Sequence, residues 1–209
     1  MRRFPDRRAR ALLWASLRCR LVGASDSMRW AMTVEHDPAW DERARLAASL
    51  VELGARVIEF GAGRRALERA LPKACAHLAT DLVPRGPGSM VIDLNAAPLP
   101  PLGGQDTAVL CGVLEYLRDL PAVARWLARQ GVGCVIASYN PALSTPGGPA
   151  RALEWLRRAQ RGWVNAYDEH ELLAAFAAAG FELELRRIWH AADGEEPMYR
   201  WRRPKAPAG

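Results

Sequence analysis

Arg56-Val57-Ile58-Glu59-Phe60-Gly61-Ala62-Gly63-Arg64-Arg65-Ala66 is the stretch on which the reading of this chain turns. Val57, Ile58 and Phe60 make a short β-rich run, and Gly61-Ala62-Gly63 ends it at once. That pattern predicts a buried strand running into a tight turn. A helical pattern follows from Arg64 to Leu71 and stops at Pro72. Glycines let the backbone approach a ligand closely, and a helix N-terminus offers free N–H groups. Strand, turn and helix together predict a nucleotide-type crevice.

The pattern repeats outward from there. Ahead of it, Leu46, Ala47, Leu50 and Leu53 recur at helical spacing within Asp41–Leu53, and Gly54 closes the helix. Behind it, Ala76–Thr80 predicts a second strand ending at Asp81, and Met90–Ile92 a third ending at Asp93. Asp106–Cys111 and Gly133–Ser138 predict a fourth and a fifth strand, with a helix over Leu120–Arg129 between them. Alternating strands and helices imply a parallel sheet covered on both faces. After a turn-rich stretch, Ala150–Gln160 reads as a helix with a basic face. Asp168 and Glu171 have the spacing of a capping box for a helix ending before Gly180. Phe181–Trp189 and Met198–Arg202 predict an antiparallel hairpin at the sheet edge. The expected fold is therefore α/β: a doubly wound, mostly parallel sheet of about seven strands with a C-terminal antiparallel hairpin.

Asp81 lies 20 residues past Gly61, where a carboxylate can accept from ribose hydroxyls. Two cofactor classes use such a crevice. Gly61-Ala62-Gly63-Arg64-Arg65-Ala66 fits G-x-G-x-x-[GA], the dinucleotide fingerprint. Three features argue against that class. Glu59 stands two residues before Gly61, where dinucleotide folds usually place an apolar residue. A further acid, Asp93, ends the third strand. The chain leaves no room for a separate substrate domain, and no Tyr-x-x-x-Lys is present.

At these residues the sequence resembles the class I S-adenosylmethionine-dependent methyltransferases, in particular their small-molecule, type-11-like domains. Val57–Gly63 resembles motif I, [DE]-x-G-x-G, and Asp81 matches the acid that follows it. Asp93–Pro100 and Gln105–Leu117 resemble the family's D-x-x-x-x-LP and VLEH segments, and Asp168–Phe181 its late helix ending in Ala-Gly-Phe. The resemblance implies S-adenosylmethionine as cofactor and methyl transfer as the activity. It implies Glu59, Gly61, Ala62 and Gly63 around the methionine moiety and Asp81 on the ribose. It implies Asp93 and Leu94 at the adenine, and Cys111 and Gly112 at the methionine end. Arg65 stands where many members carry a third glycine, and Tyr116 where many carry His.

The acceptor side is read from the residues alone. Tyr139 and Asn140 end the fifth strand, where ligands bind in this architecture, and His170 opens a later helix; these three are the catalytic candidates. His36, His77 and His190 have no partner in the sequence. Trp126 and Trp155 are expected to pack, and Trp163 to line an acceptor cavity or a lid. Arg151, Arg157, Arg158 and Arg161 cluster on the insertion at about 145–165. They form a solvated face by default, or a receptor for an anionic acceptor. Double reversal of Arg157 and Arg158 to Glu tests the second reading through the acceptor KM.

Charge sharpens the choice. The 209 residues carry a formal net charge of +6, which on its face suggests nucleic acid. Residues 1–20 hold seven Arg and one acid, which equals the whole net charge, and residues 186–209 hold six basic and three acidic residues, so the body between them, 21–185, is slightly acidic. No Asn/Asp-Pro-Pro-Tyr segment for a flipped base occurs. Basic residues are 27 Arg against 2 Lys, a mark of GC-rich coding, under which an over-long start yields such a segment. Residues 1–31 are therefore expected to stand outside the working fold, with the domain at 32–204. Cys19, Cys75, Cys111 and Cys134 are widely spaced, which fits a reducing, cytoplasmic setting and argues against a metal site. No apolar run reaches the ~18 residues of a membrane span. The reading is an enzyme methylating a small-molecule acceptor. Two alternatives stand beside it: a catalytically silent binder of the same cofactor that regulates or scaffolds, and an NAD-dependent oxidoreductase.

Overall fold

Seven strands run in the order β3-β2-β1-β4-β5-β7-β6 through a computed structural model. The structure describes residues 24–32, 37–142, 149–191 and 194–204, together with 14, 15, 18, 19 and 22. In chain order the elements are α1 (Ser27–Met32), α2 (Pro38–Ser49), β1 (Arg56–Phe60), α3 (Ala66–Ala70), β2 (Ala76–Asp81), β3 (Ser89–Val91) and β4 (Thr107–Leu110). There follow α4 (Leu120–Arg129), β5 (Cys134–Ser138), α5 (Pro149–Arg161), α6 (Glu169–Ala178), β6 (Glu182–Ala191) and β7 (Gly194–Arg202). A 3-10 turn, Leu114–Tyr116, follows β4.

The first five strands pair in parallel, and β7 runs antiparallel to both β5 and β6. This is the doubly wound sheet with a terminal hairpin that the alternation predicts. Period-two alternation splits the central strands between two faces. Ile58, Phe60, Ala108, Leu110, Val135 and Ala137 pack under α4 and α6 with Trp126, Phe176 and Trp201. Val57, Val109 and Ile136 face the other way, onto Ala44, Ala47, Ala48 and Leu67. Phe176 stacks on Trp201 with ring centroids 4.1 Å apart.

Local chemistry fixes the helix ends. Asp37 caps α2 by accepting from the Ala39 N–H at 2.9 Å, so the helix starts earlier than its apolar period suggests. It also ends earlier, at Ser49, and leaves Leu53 exposed. Asp168 and Glu171 form the full capping box of α6. The helix after the glycine turn is shorter than its pattern because Arg65 takes φ +60, a left-handed conformation that cannot continue a helix. Arg65 Nη1 holds the Pro87 carbonyl at 3.0 Å and its Nε pairs with Glu68 at 2.6 Å.

Most of the Arg-rich start lies outside the described residues, as do 143–148 and the side chain of Arg151. The described part of the segment expected to stand apart from the fold packs on the body. Ser25 Oγ donates to Asp93 Oδ1 at 2.7 Å, and Trp30 meets Tyr116 edge to face at 5.1 Å. Arg118 donates to the carbonyls of Cys19 and Ala24.

Candidate functional site

The strand order reverses between β1 and β4, and in open α/β sheets that is where a crevice forms beyond the carboxyl ends. A cavity of about 650 Å³ occupies this place. Glu59, Gly61, Ala62, Gly63, Asp81, Asp93, Leu94, Cys111 and Gly112 all line it.

The glycine turn is required by the space available. Gly61 sits at φ +71, and a Cβ there would lie 2.6 Å from Val113 Cγ2. Gly63 sits at φ +48 and its N–H donates to Asp81 Oδ2 at 2.9 Å. The same carboxylate takes Arg85 Nε at 2.9 Å and, through Oδ1, the Val83 N–H at 3.3 Å. Asp93 accepts from the Asn95 N–H at 2.9 Å as well as from Ser25. Glu59 is buried and meets His77 Nε2 at 2.9 Å. Burial is the larger influence on Glu59 and raises its pKa, while the contact with His77 opposes the rise. His77, without a partner in the sequence, has one in the fold.

The other half of the cavity is walled by long side chains. Glu115, at the 3-10 turn after β4, is 3% exposed. Its Oε1 accepts from the Asn140 N–H at 2.9 Å, and its buried Oε2 has no hydrogen-bond partner. Burial pushes its carboxyl up to about 7; the Glu196 carboxylate adds to the rise and Arg43 opposes it. Cys111 is pushed up to about 12 by burial, which keeps it a neutral thiol. Arg43, Tyr116, Trp163, Trp189 and Glu196 complete this wall.

Tyr139, Asn140 and His170 do not line the cavity. Tyr139 is fully buried, its one hydroxyl proton is shared between Asn165 Oδ1 at 2.8 Å and the Tyr167 carbonyl at 3.1 Å, and burial raises its phenol. Asn140 donates to Glu196 Oε1 at 3.1 Å, so it braces the wall from behind. His170 is exposed on α6. Arg158 is no part of a solvated face either: it is 1% exposed, between the rings of Tyr139 and Trp163. Its donors go to Glu154 at 3.2 Å and to the Asn140 and Asn165 carbonyls. Reversing Arg158 would therefore break packing before it tested any acceptor. Trp126 packs as expected, whereas Trp155 is half exposed. Glu115 and Arg43 are the site residues that sequence reading missed. Glu115 stood inside a quoted motif, but nothing local marked it as buried; Arg43 stands on a helix 69 positions before Gly112 and carries no motif.

Residues 31–185 match the family model described as a methyltransferase domain. Comparison with curated protein sequences finds no match. Solved structures share the fold at low identity. The 1,6-didemethyltoxoflavin-N1-methyltransferase of Burkholderia thailandensis is 20% identical with a TM-score of 0.61, covering 98% of this chain and 93% of its own. Magnesium protoporphyrin IX methyltransferase from Synechocystis is 18% identical with a TM-score of 0.56, covering 85% and 92%. The [4+2]-cyclase SpnF is 15% identical with a TM-score of 0.59, covering 79% and 81%.

Proposed function

We propose that this chain, which belongs to the methyltransferase-domain family, binds S-adenosylmethionine in the cleft and methylates a small-molecule acceptor. The observation that carries the reading is the cavity itself. Its glycine turn lacks room for a Cβ at Gly61, and acids stand at the end of β2 (Asp81) and just past β3 (Asp93). Those features fit the cofactor: a backbone free to approach it, Asp81 for ribose hydroxyls, Asp93 and Leu94 for the adenine. Arg85 and Ser25 already bond to Asp81 and Asp93, so both acids have to share their oxygens with the ligand. When bound, the cofactor supplies an electrophilic sulfonium methyl.

The chain's own part is alignment, exclusion of water and custody of a proton. Alignment is a large share of the rate available to such a displacement. Trp163, Trp189 and Tyr116 give the acceptor half aromatic walls. Glu115 is the proton-accepting group: its unpartnered Oε2 is buried, and its carboxyl titrates near neutrality. It replaces Tyr139, Asn140 and His170 as the catalytic candidate. The four unpaired cysteines fit a cytoplasmic setting. Among the described residues, no helix is long and apolar enough to cross a membrane.

The competing reading is a cofactor binder that does not methylate. The likeness to SpnF, named as a cyclase, favours it. Incubation with methyl-labelled S-adenosylmethionine and a fractionated metabolite extract separates the two. Label in a small-molecule fraction, lost in Glu115→Gln, supports transfer. Tight cofactor binding with no label moved supports the silent binder.

A further inference from the structure

We propose that the acceptor methylated in this cleft is an amine, received as its ammonium by the paired carboxylates of Glu115 and Glu196. The inference rests on the methyl-transfer reading above and names its substrate class. Asn140 holds both acids. Its backbone N–H donates to Glu115 Oε1 at 2.9 Å, and its side-chain amide to Glu196 Oε1 at 3.1 Å. One residue thus brings two carboxylates, from the 3-10 turn after β4 and from β7, to one wall of the cavity. Each acid keeps its second oxygen. Glu115 Oε2 is buried without a donor, and Glu196 Oε2 takes none among the described residues. Neither acid has an ion pair there. Neighbouring carboxylates repel, and burial adds to the cost of leaving them without a cation. A proton on Glu115 relieves part of that cost. A cation from outside the chain relieves it for both.

The chain's own cations are placed elsewhere. Arg29 donates to the Gln160 and Arg161 carbonyls, Arg85 to Asp81, and Arg118 to the Cys19 and Ala24 carbonyls. Arg161 lies over the Trp163 ring, 4.8 Å from its centroid. Arg43 lies over the Trp189 ring at 5.3 Å, with its Nη1 and Nη2 against Gly112. It acts on Glu115 less than Glu196 does. The surroundings of the two acids are aromatic. The Val164 N–H donates to the Glu115 carbonyl at 2.8 Å, which brings Trp163 to the same wall. Trp189 stands opposite Glu196 in the β6–β7 register. Carboxylates framed by aromatic side chains suit an ammonium carried on an apolar body.

Charge development selects nitrogen over oxygen. The ammonium first gives one proton to Glu115, whose carboxyl titrates near neutrality. The freed nitrogen lone pair then forms the N–C bond, and the C–S bond breaks with its electron pair on sulfur. The nitrogen turns positive as it attacks, and carboxylates beside it favour that change. The products are a methylammonium, S-adenosylhomocysteine and the proton held by Glu115. A phenol or a carboxylic acid would instead attack as an oxyanion, and the two carboxylates oppose an oxyanion at this place.

The test follows the methyl group. A metabolite extract is divided by cation exchange into a cationic fraction and the remainder. Each is incubated with wild-type protein and trideuteromethyl S-adenosylmethionine, and mass spectrometry locates the transferred group. Transfer is expected from the cationic fraction alone, onto nitrogen. The amine so identified is then assayed with Glu196→Gln, which keeps an oxygen for Asn140 and removes the charge. Its KM is expected to rise about tenfold or more, the range of a lost charge-assisted contact, with affinity for S-adenosylhomocysteine unchanged. Transfer to oxygen, sulfur or carbon overturns the assignment and leaves the methyl-transfer reading standing. An unchanged KM in Glu196→Gln overturns it as well, since the charge would then play no part. If S-adenosylhomocysteine binds and no group is transferred from either fraction, the methyl-transfer reading fails and the assignment falls with it.

Discussion

The two halves of the cleft are built from different materials. Beyond β1, β2 and β3 the wall is backbone and short acids at strand ends: Gly61, Gly63, Asp81 and Asp93. Beyond β4 it is long side chains brought together from distant segments: Arg43 from α2, Glu115 from the 3-10 turn, Trp163 after α5, Trp189 from β6 and Glu196 from β7. A backbone wall is fixed by the strand geometry and changes little when surface residues change. A side-chain wall depends on packing, charge and neighbours at once. The first half suits the cofactor proposed for the cleft, and the aromatic part of the second suits its acceptor.

Breaking the backbone half should have the largest effect. Gly61→Val puts a β-branched residue at φ +71 with its Cβ 2.6 Å from Val113. Left-handed strain and overpacking together are expected to cost about 3 kcal/mol or more, with calorimetry showing no remaining affinity for S-adenosylhomocysteine. Next comes Arg158→Ala, which removes a buried cation behind the acceptor wall. A loss of about 3 kcal/mol is expected by urea unfolding, since it orphans the Asn140 and Asn165 carbonyls. Cofactor affinity should change much less than in Gly61→Val. If the two variants affect affinity alike, the halves are not independent.

Glu115→Gln sharpens the contrast through pH. Burial raises the Glu115 carboxyl from an ordinary value of 4.5 to about 7, so the folded chain favours its neutral form. Ionising it costs stability, and that cost grows as pH rises from 4.5 through 7. Wild type should therefore lose about 2–3 kcal/mol relative to Glu115→Gln between pH 5 and pH 8. Parallel stability curves for the two proteins would refute a buried carboxyl titrating there. Arg43, Cys111, Tyr116, Tyr139 and Glu196 share that field, so the slope should depend on Arg43. A smaller effect is expected from Ser25→Ala, which removes the bonds joining the N-terminal segment to Asp93 and Asn95. It should lower the melting temperature by about 2–4 °C, from a loss of about 1 kcal/mol, and speed tryptic cleavage at Arg29. The smallest change belongs to Arg157→Glu on the exposed face of α5: a stability shift within about 0.5 kcal/mol and no change in cofactor affinity.

The same contrast explains what the sequence made legible. The strand ahead of the glycine turn, α4 and the capping box of α6 were readable because each is set by neighbours within a few residues. The nine cavity-lining positions were readable for the same reason: motif spacing places them at strand ends. Arg158 was misread because its helix looks basic and its burial depends on Tyr139 and Trp163, contributed by other segments. Tyr139 looked like a site residue because it ends β5; its partner Asn165, 26 residues on, turns the hydroxyl into the core. Glu115 and Arg43 gain their character only from burial and from what stands opposite them. The contacts of Ser25, Arg29 and Trp30 were not legible from composition, since they involve single residues within a run that otherwise reads as a basic tail.

The most direct test of the cleft is titration of the wild-type protein with S-adenosylhomocysteine, and separately with NAD, by calorimetry. One S-adenosylhomocysteine is expected to bind per chain, with no heat from NAD. Binding of NAD in place of S-adenosylhomocysteine, or of neither, would contradict the cofactor assignment.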